Sequence, residues 1–257
     1  MIPAKLDHLA VAAESWDELW PRYRGDLGGE WVAGGPSLGF ASAQVRYRNG
    51  MKIEALMPQD WERNDFLRRF LDHRGPGPHH MTFKVPDIEA ALAASEAAGY
   101  RPVGVDLSDP GWKEAFLHPK DAPGVVIQLA QSAGEWEGPA PAGFPAAPRA
   151  TSTLDYVGHA VSNLDDGMRL YRDLLGAHVA DRGRDEFVAA DWVDFAWPTG
   201  TIRVFDAPQY AQGVHHVAFT TVDAAGVPDA KPTDDGRYEV VPEANLGVRL
   251  LLTEPAA

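Results

Sequence analysis

His8 and Glu54 stand 46 positions apart, and His80 and Gln128 stand 48 apart. Two imidazoles, a carboxylate and an amide oxygen make a donor set suited to a hard or borderline divalent metal. All four lie in short apolar runs that recur along the chain. LDHLAVA from Leu6, PHHMTFKV from Pro78, LDYVGHAV from Leu154 and VHHVAFTT from Val214 each open a segment. Each segment closes with a second run: MKIEALMP from Met51, GVVIQLAQ from Gly124, TIRVFDAP from Thr201 and GVRLLLTEP from Gly247. A fourfold repeat is the first thing to read from such spacing. In the third and fourth segments the paired runs offer Tyr156 with Val204 and His216 with Leu251 instead, so only the first half can build the donor set.

The elements that must hold these residues follow from periodicity. Strand alternation puts His8 and Ala10 on one face and Leu9 and Val11 on the other. It likewise groups His80, Thr82 and Lys84, Glu54 with Lys52 and Leu56, and sets Gln128 opposite Ile127 and Leu129. A carboxylate or amide on the inner face of an apolar strand is costly unless it is paired or binds a metal. Each repeat reads as strand, helix, then three strands. The first helix spans Ser15 to Leu27, with Trp16, Leu19, Trp20 and Tyr23 at helical spacing and a stop at Gly28-Gly29. The second spans Ile88 to Ala98, and the third follows an Asn163 cap, with Leu164, Met168, Tyr171 and Leu175 on one stripe. The fourth, within VDAAGVPDAKPTDDG, is a short turn or missing.

Residues 132–152 hold four Pro among Gly and Ala and read as a linker between a metal-binding domain, 1–131, and a second domain, 153–257, without a metal site. Hydrophobic residues make up 45% and charged residues 23% of the 257, an ordinary balance for a chain that buries real cores. A net charge of −14 argues against nucleic acid and anionic membrane surfaces as partners. Neither a run long enough to span a bilayer nor a leader pattern is present, and zero Cys excludes disulfides and thiolate chemistry, so the expected location is cytoplasmic.

The repeats, the phrases PHHMTFKVPDIEAAL and AFLHPKDAPGVVIQL, and the His8, Glu54, His80, Gln128 offsets resemble the vicinal oxygen chelate superfamily. That superfamily includes glyoxalase I, methylmalonyl-CoA epimerase, extradiol dioxygenases and bleomycin- or fosfomycin-resistance proteins. The likeness covers nearly the whole chain as repeats and residues 5–131 as motifs, nearest the epimerase and glyoxalase I branch. It implies an α+β fold of tandem βαβββ modules in curled mixed sheets. It also implies one divalent ion (Zn, Mn, Fe, Co, Ni or Mg) on His8, Glu54, His80 and Gln128. Much of that branch has Glu, a ligand and proton carrier, where this chain has Gln128.

Gln128 cannot move a proton, so a reaction beside a carbonyl needs Glu54 as base, or Glu114 reaching in from the third strand of its module. The expected activity is that of a metal-dependent isomerase or lyase of the glyoxalase or epimerase type, on a small carbonyl or thioester substrate, with a homodimer compatible. One alternative is an Fe(II) ring-cleaving dioxygenase, because His8, His80 and Glu54 also form a 2-His-1-carboxylate set. Another is a non-catalytic, resistance-type binder. His79 and His215 read as surface residues or supports of the inner His, His118 as part of a turn, and His159 as facing away. His216 reads as a relic of duplication. Arg46, Arg48 and Lys52 read either as an anion receiver or as a solvated edge. The aromatic second half, with Trp192, Phe195, Trp197 and Phe205, reads as architectural.

Overall fold

The computed structural model describes residues 1–134 and 136–255; Glu135, inside the Pro-rich segment, and Ala256 and Ala257 lie outside the described residues. The first half contributes β1 (Lys5–Ala12), β2 (Glu30–Pro36), β3 (Phe40–Arg46), β4 (Lys52–Pro58), β5 (Gly77–Lys84), β6 (Pro102–Asp109), β7 (Trp112–Leu117) and β8 (Val126–Ser132). They form one eight-stranded sheet in the order β2-β3-β4-β1-β5-β8-β7-β6. The second half gives β9 (Thr153–Val161), β10 (His178–Asp185), β11 (Ala190–Trp197), β12 (Gly200–Asp206), β13 (Gly213–Thr220), β14 (Lys231–Pro232), β15 (Tyr238–Val240) and β16 (Leu250–Thr253). Their order, β10-β11-β12-β9-β13-β16-β15-β14, repeats the first. The fold is therefore α+β, with two curled mixed sheets built from four repeats of the βαβββ plan, the fourth without its helix. β5 pairs with β8 and β13 with β16 in parallel, which fits strands separated by long connections.

Helix α1 (Trp16–Trp20) runs into a stretch of wider, π-type turns, Pro21–Asp26. Pro21 has no N–H to give to the helix interior, and the chain closes instead through Leu27 N donating to Arg22 O at 3.0 Å, a five-residue step. Gly28 ends the turn at φ +68, where a Cβ would come within 2.6 Å of Ala150 O, so both conformation and space require glycine. Helix α2 (Phe66–Arg74) is absent from the repeat plan. Its Leu67 and Leu71, with Phe66 and Phe70, pack on Ala10, Ala12 and Leu56. Helix α3 (Ile88–Ala97) starts where the Asp87 side chain accepts from Ala90 N at 3.0 Å, and Gly99 follows at φ +87. Helix α4 (Leu164–Gly167), capped by Asn163, again widens over Met168–Leu174. The fourth repeat has turns and no helix between positions 222 and 230. No helix among the described residues is long and apolar enough to cross a membrane.

The chain condenses into two compact units that interleave in sequence. One gathers Met1–His8, His80–Glu135 and Tyr156–His215; the other gathers Leu9–His79, Trp136–Asp155 and His216–Ala257. In the second, the Pro-rich segment is seated rather than loose: Phe144 meets Trp20 and Trp31 at 5.2 and 5.1 Å, Arg24 Nε donates to Pro145 O at 2.9 Å, and Trp31 Nε1 donates to Gly138 O at 2.9 Å. In the first, Phe83, Tyr171, Phe195 and Trp197 form an aromatic core.

His159 lies in that core, bonded at 2.6 Å on Nδ1 by Tyr171 Oη and at 2.6 Å on Nε2 to Pro123 O. A carbonyl only accepts, so Nε2 carries the proton and Nδ1 receives the tyrosine's. Burial pushes its pKa down to about 4, and the bond to Pro123 O opposes this. A depressed histidine contributes stability that is complete above its unfolded pKa of about 6.5 and is lost as pH falls toward about 4, roughly 3 kcal/mol in all. Urea unfolding from pH 7 down to about pH 4 is expected to show that loss in the native chain and a flatter profile in His159→Gln. Parallel profiles would place the acid sensitivity elsewhere.

Candidate metal centre

The four candidate ligands sit on four adjacent strands, Glu54 on β4, His8 on β1, His80 on β5 and Gln128 on β8. All four are buried. Donor atoms of His8, Glu54 and His80 lie within 4.8 Å of one another, the one such group of His, Asp and Glu found among the described residues. The His8 and His80 rings meet edge to face at 5.9 Å. Parallel register sets Thr82 beside Gln128, and Thr82 Oγ1 donates to Gln128 Oε1 at 2.5 Å while lying 2.8 Å from His8 Nε2.

Neighbours orient each donor. Asp7 Oδ2 lies 2.7 Å from His8 Nδ1, the carboxylate-to-imidazole contact that fixes a ligand ring with its other nitrogen toward the ion. Gln44, directly opposite Glu54 in the β3–β4 register, donates from Nε2 to Glu54 Oε1 at 3.0 Å. Glu114 on β7 does reach the donor set: its Oε2 accepts from Gln128 Nε2 at 2.7 Å and from Trp112 Nε1 at 2.8 Å. Hence the amide nitrogen of Gln128 is held away from the other donors and its oxygen is left on their side. The donor set fits a divalent ion chemically, with two imidazole nitrogens, one carboxylate and one amide oxygen.

The sequence reading missed Asp7, Gln44 and Trp112. Gln44 had a signal, a lone amide in the apolar run FASAQVR, whereas Asp7 and Trp112 act through a neighbour and have no periodic signature. His79 is packed rather than surface: its ring meets Phe70 at 4.7 Å and Phe66 at 5.7 Å, and burial pushes its pKa down to about 4 against the pull of Glu54. His215 likewise meets Tyr210 at 4.5 Å. His118 Nδ1 accepts from Lys120 N at 3.1 Å, inside a turn. Arg46 lies 3.6 Å from Glu137, and Arg48 donates to Thr151 O at 3.1 Å; both line an open hollow with Glu30, Asn49 and Thr151.

The second sheet differs from expectation at one position. The residue that meets Tyr156 is Arg203, not Val204: the guanidinium carbon lies 4.2 Å from the Tyr156 ring centroid and 3.7 Å from that of Trp192. β11 sets Asp194 opposite Arg203 as β3 sets Gln44 opposite Glu54, while Val204 pairs with His159 on the other parity. Asp194 accepts from Arg203 Nε and Nη2 at 2.7 and 2.8 Å. A planar cation, doubly bonded and held against two rings, thus stands at the position of Glu54. Leu251 stands at that of Gln128, beside Ala218.

Comparison with known proteins fits this geometry. The family model of the Glyoxalase/Bleomycin resistance protein/Dioxygenase superfamily matches residues 7–116. The chain is 32% identical over 133 residues to an ethylmalonyl-CoA/methylmalonyl-CoA epimerase of Cereibacter sphaeroides, a match covering 49% of this chain and 97% of the relative. It is 30% identical over 134 residues to the mitochondrial methylmalonyl-CoA epimerase of Mus musculus, covering 50% of this chain and 73% of the relative. A solved structure of a hypothetical protein from Staphylococcus aureus shares the fold at a TM-score of 0.61 and 12% identity, covering 98% of this chain and 100% of that one.

Proposed function

The chain belongs to the glyoxalase/bleomycin resistance protein/dioxygenase superfamily, and from that premise we propose that it is an epimerase-type isomerase moving a proton at the carbon next to the carbonyl of an acyl thioester. The observation that carries this reading is the gathering of His8, Glu54 and His80 within 4.8 Å, together with a second carboxylate, Glu114, one hydrogen bond beyond Gln128. The relatives named as acting on ethylmalonyl-CoA and methylmalonyl-CoA point to 2-alkylmalonyl thioesters of CoA as the substrate class.

His8, Glu54, His80 and Gln128 would hold one divalent ion, which supplies a Lewis acid that raises the acidity of a carbon next to a carbonyl. Glu54 removes the proton, and Gln44 holds its Oε1 and so sets the plane of the carboxylate. Inversion of a stereocentre needs a second group to return a proton to the opposite side. Glu114 is that group. Its Oε2 accepts from two N–H donors, Gln128 Nε2 and Trp112 Nε1, which hold the carboxyl in place beside the donor set. Gln128 keeps its amide fixed and takes no part in proton transfer.

Incubation with Co2+ or Mn2+ and 2-methylmalonyl or other 2-methyl acyl thioesters in deuterated water is expected to place deuterium at the carbon next to the carbonyl, read by mass spectrometry. No exchange with any thioester or α-keto hemithioacetal, alongside oxygen consumption with a catechol by Fe(II)-loaded protein, would replace this reading with the oxygenase one.

A further inference from the structure

Thr82 is fully buried and its side-chain oxygen stands where two candidate ligands converge, 2.8 Å from His8 Nε2 and 2.5 Å from Gln128 Oε1. These are the two atoms that must turn to a metal ion, and the hydroxyl already engages both. We infer that Thr82 is a metal-competing placeholder: its hydroxyl holds His8 and Gln128 together when no ion is bound and has to release His8 for an ion to enter. This rests on the metal-site reading above.

The two bonds are not equivalent. The Thr82 hydroxyl has one proton and gives it to Gln128 Oε1, so its contact with His8 has Nε2 as the donor; Gln128 Oε1 keeps a second lone pair that can face an ion, whereas His8 Nε2 can face one only once its bond to Thr82 is given up. Only the contact to His8 must open. The cost of metal entry attributable to Thr82 is therefore that of one buried hydrogen bond. Asp7 keeps its hold on Nδ1 in either state, so the ring need not turn when the contact opens. In the second sheet the residue at the position of Thr82 is Ala218, opposite Leu251. No hydroxyl stands where the ligand set is missing.

The test compares the full-length chain with Thr82→Val and Thr82→Ser after chelator stripping. Zn2+ affinity is measured by competition with a chromophoric chelator, and thermal stability is measured with and without Zn2+. Thr82→Val, close in shape but without the hydroxyl, is expected to bind Zn2+ about fivefold tighter, the worth of one net hydrogen bond. Its metal-free melting temperature is expected to fall while its Zn2+-induced rise becomes larger than that of the native chain. Thr82→Ser restores the hydroxyl and is expected to stay within roughly twofold of native affinity. Weaker Zn2+ binding by Thr82→Val would make the hydroxyl a ligand or a support of the loaded state and would overturn the inference; unchanged affinity would overturn it equally. A native chain that binds no Zn2+ would instead bring down the metal-site reading itself, which separates the two failures.

Discussion

Glu54→Gln is expected to lower thioester proton exchange roughly a hundred- to ten-thousandfold, the usual worth of a positioned general base, while leaving metal in place. The amide oxygen remains a donor, as Gln128 is in the native chain, and the swap changes volume little. Gln44 donates to Glu54 Oε1 at 3.0 Å and can donate to an amide oxygen in the same way, so the fold should tolerate it. What is lost is the only carboxylate among the four candidate ligands. Deuterium incorporation and metal content measured on the same sample decide the matter. Exchange at the native rate with metal retained would move the base to Glu114. Loss of metal with loss of exchange would show that Glu54 acts through the ion rather than on the proton.

Strand alternation carried most of what could be read before folding. A period of two assigns His8, Glu54, His80 and Gln128 to strand faces without knowing the sheet order, and the sheet then lines up their four strands side by side. Thr82 shared the His80 face on the same argument, yet its contact with His8 lies across 74 positions and depends on which strands are neighbours. Parity also explains the error in the second half. Counting residues between runs gave Val204, but Tyr156 stands 47 positions from Arg203 where His8 stands 46 from Glu54, so offsets do not transfer and cross-strand register does. Pro21 was read through because the apolar stripe continued past it; the wider turns keep the stripe while dispensing with the missing N–H. Helix α2 falls between repeats, where a search for repeats does not look, although Phe66, Leu67, Phe70 and Leu71 have helical spacing. The composition of the Pro-rich segment explained its lack of regular structure and left Phe144 hidden, because an aromatic anchor in a linker shows no period.

Removing both imidazoles is expected to abolish metal binding, since two of four ligands go and the remaining carboxylate and amide are too few for a transition metal at useful affinity. His8→Ala with His80→Ala also leaves Asp7 and Thr82 without their ring partner, so a modest loss of stability accompanies it. Circular dichroism shows whether the fold survives, and in the C-terminal sheet the Arg203–Asp194 pair stands where the first sheet has Glu54 and Gln44. The central claim is that one divalent ion is held by His8, Glu54, His80 and Gln128. Elemental analysis of protein purified without chelator tests it most directly. The expected result is close to one ion per native chain and none in the folded double variant; a native content near zero after metal loading, or equal content in the two proteins, would contradict it.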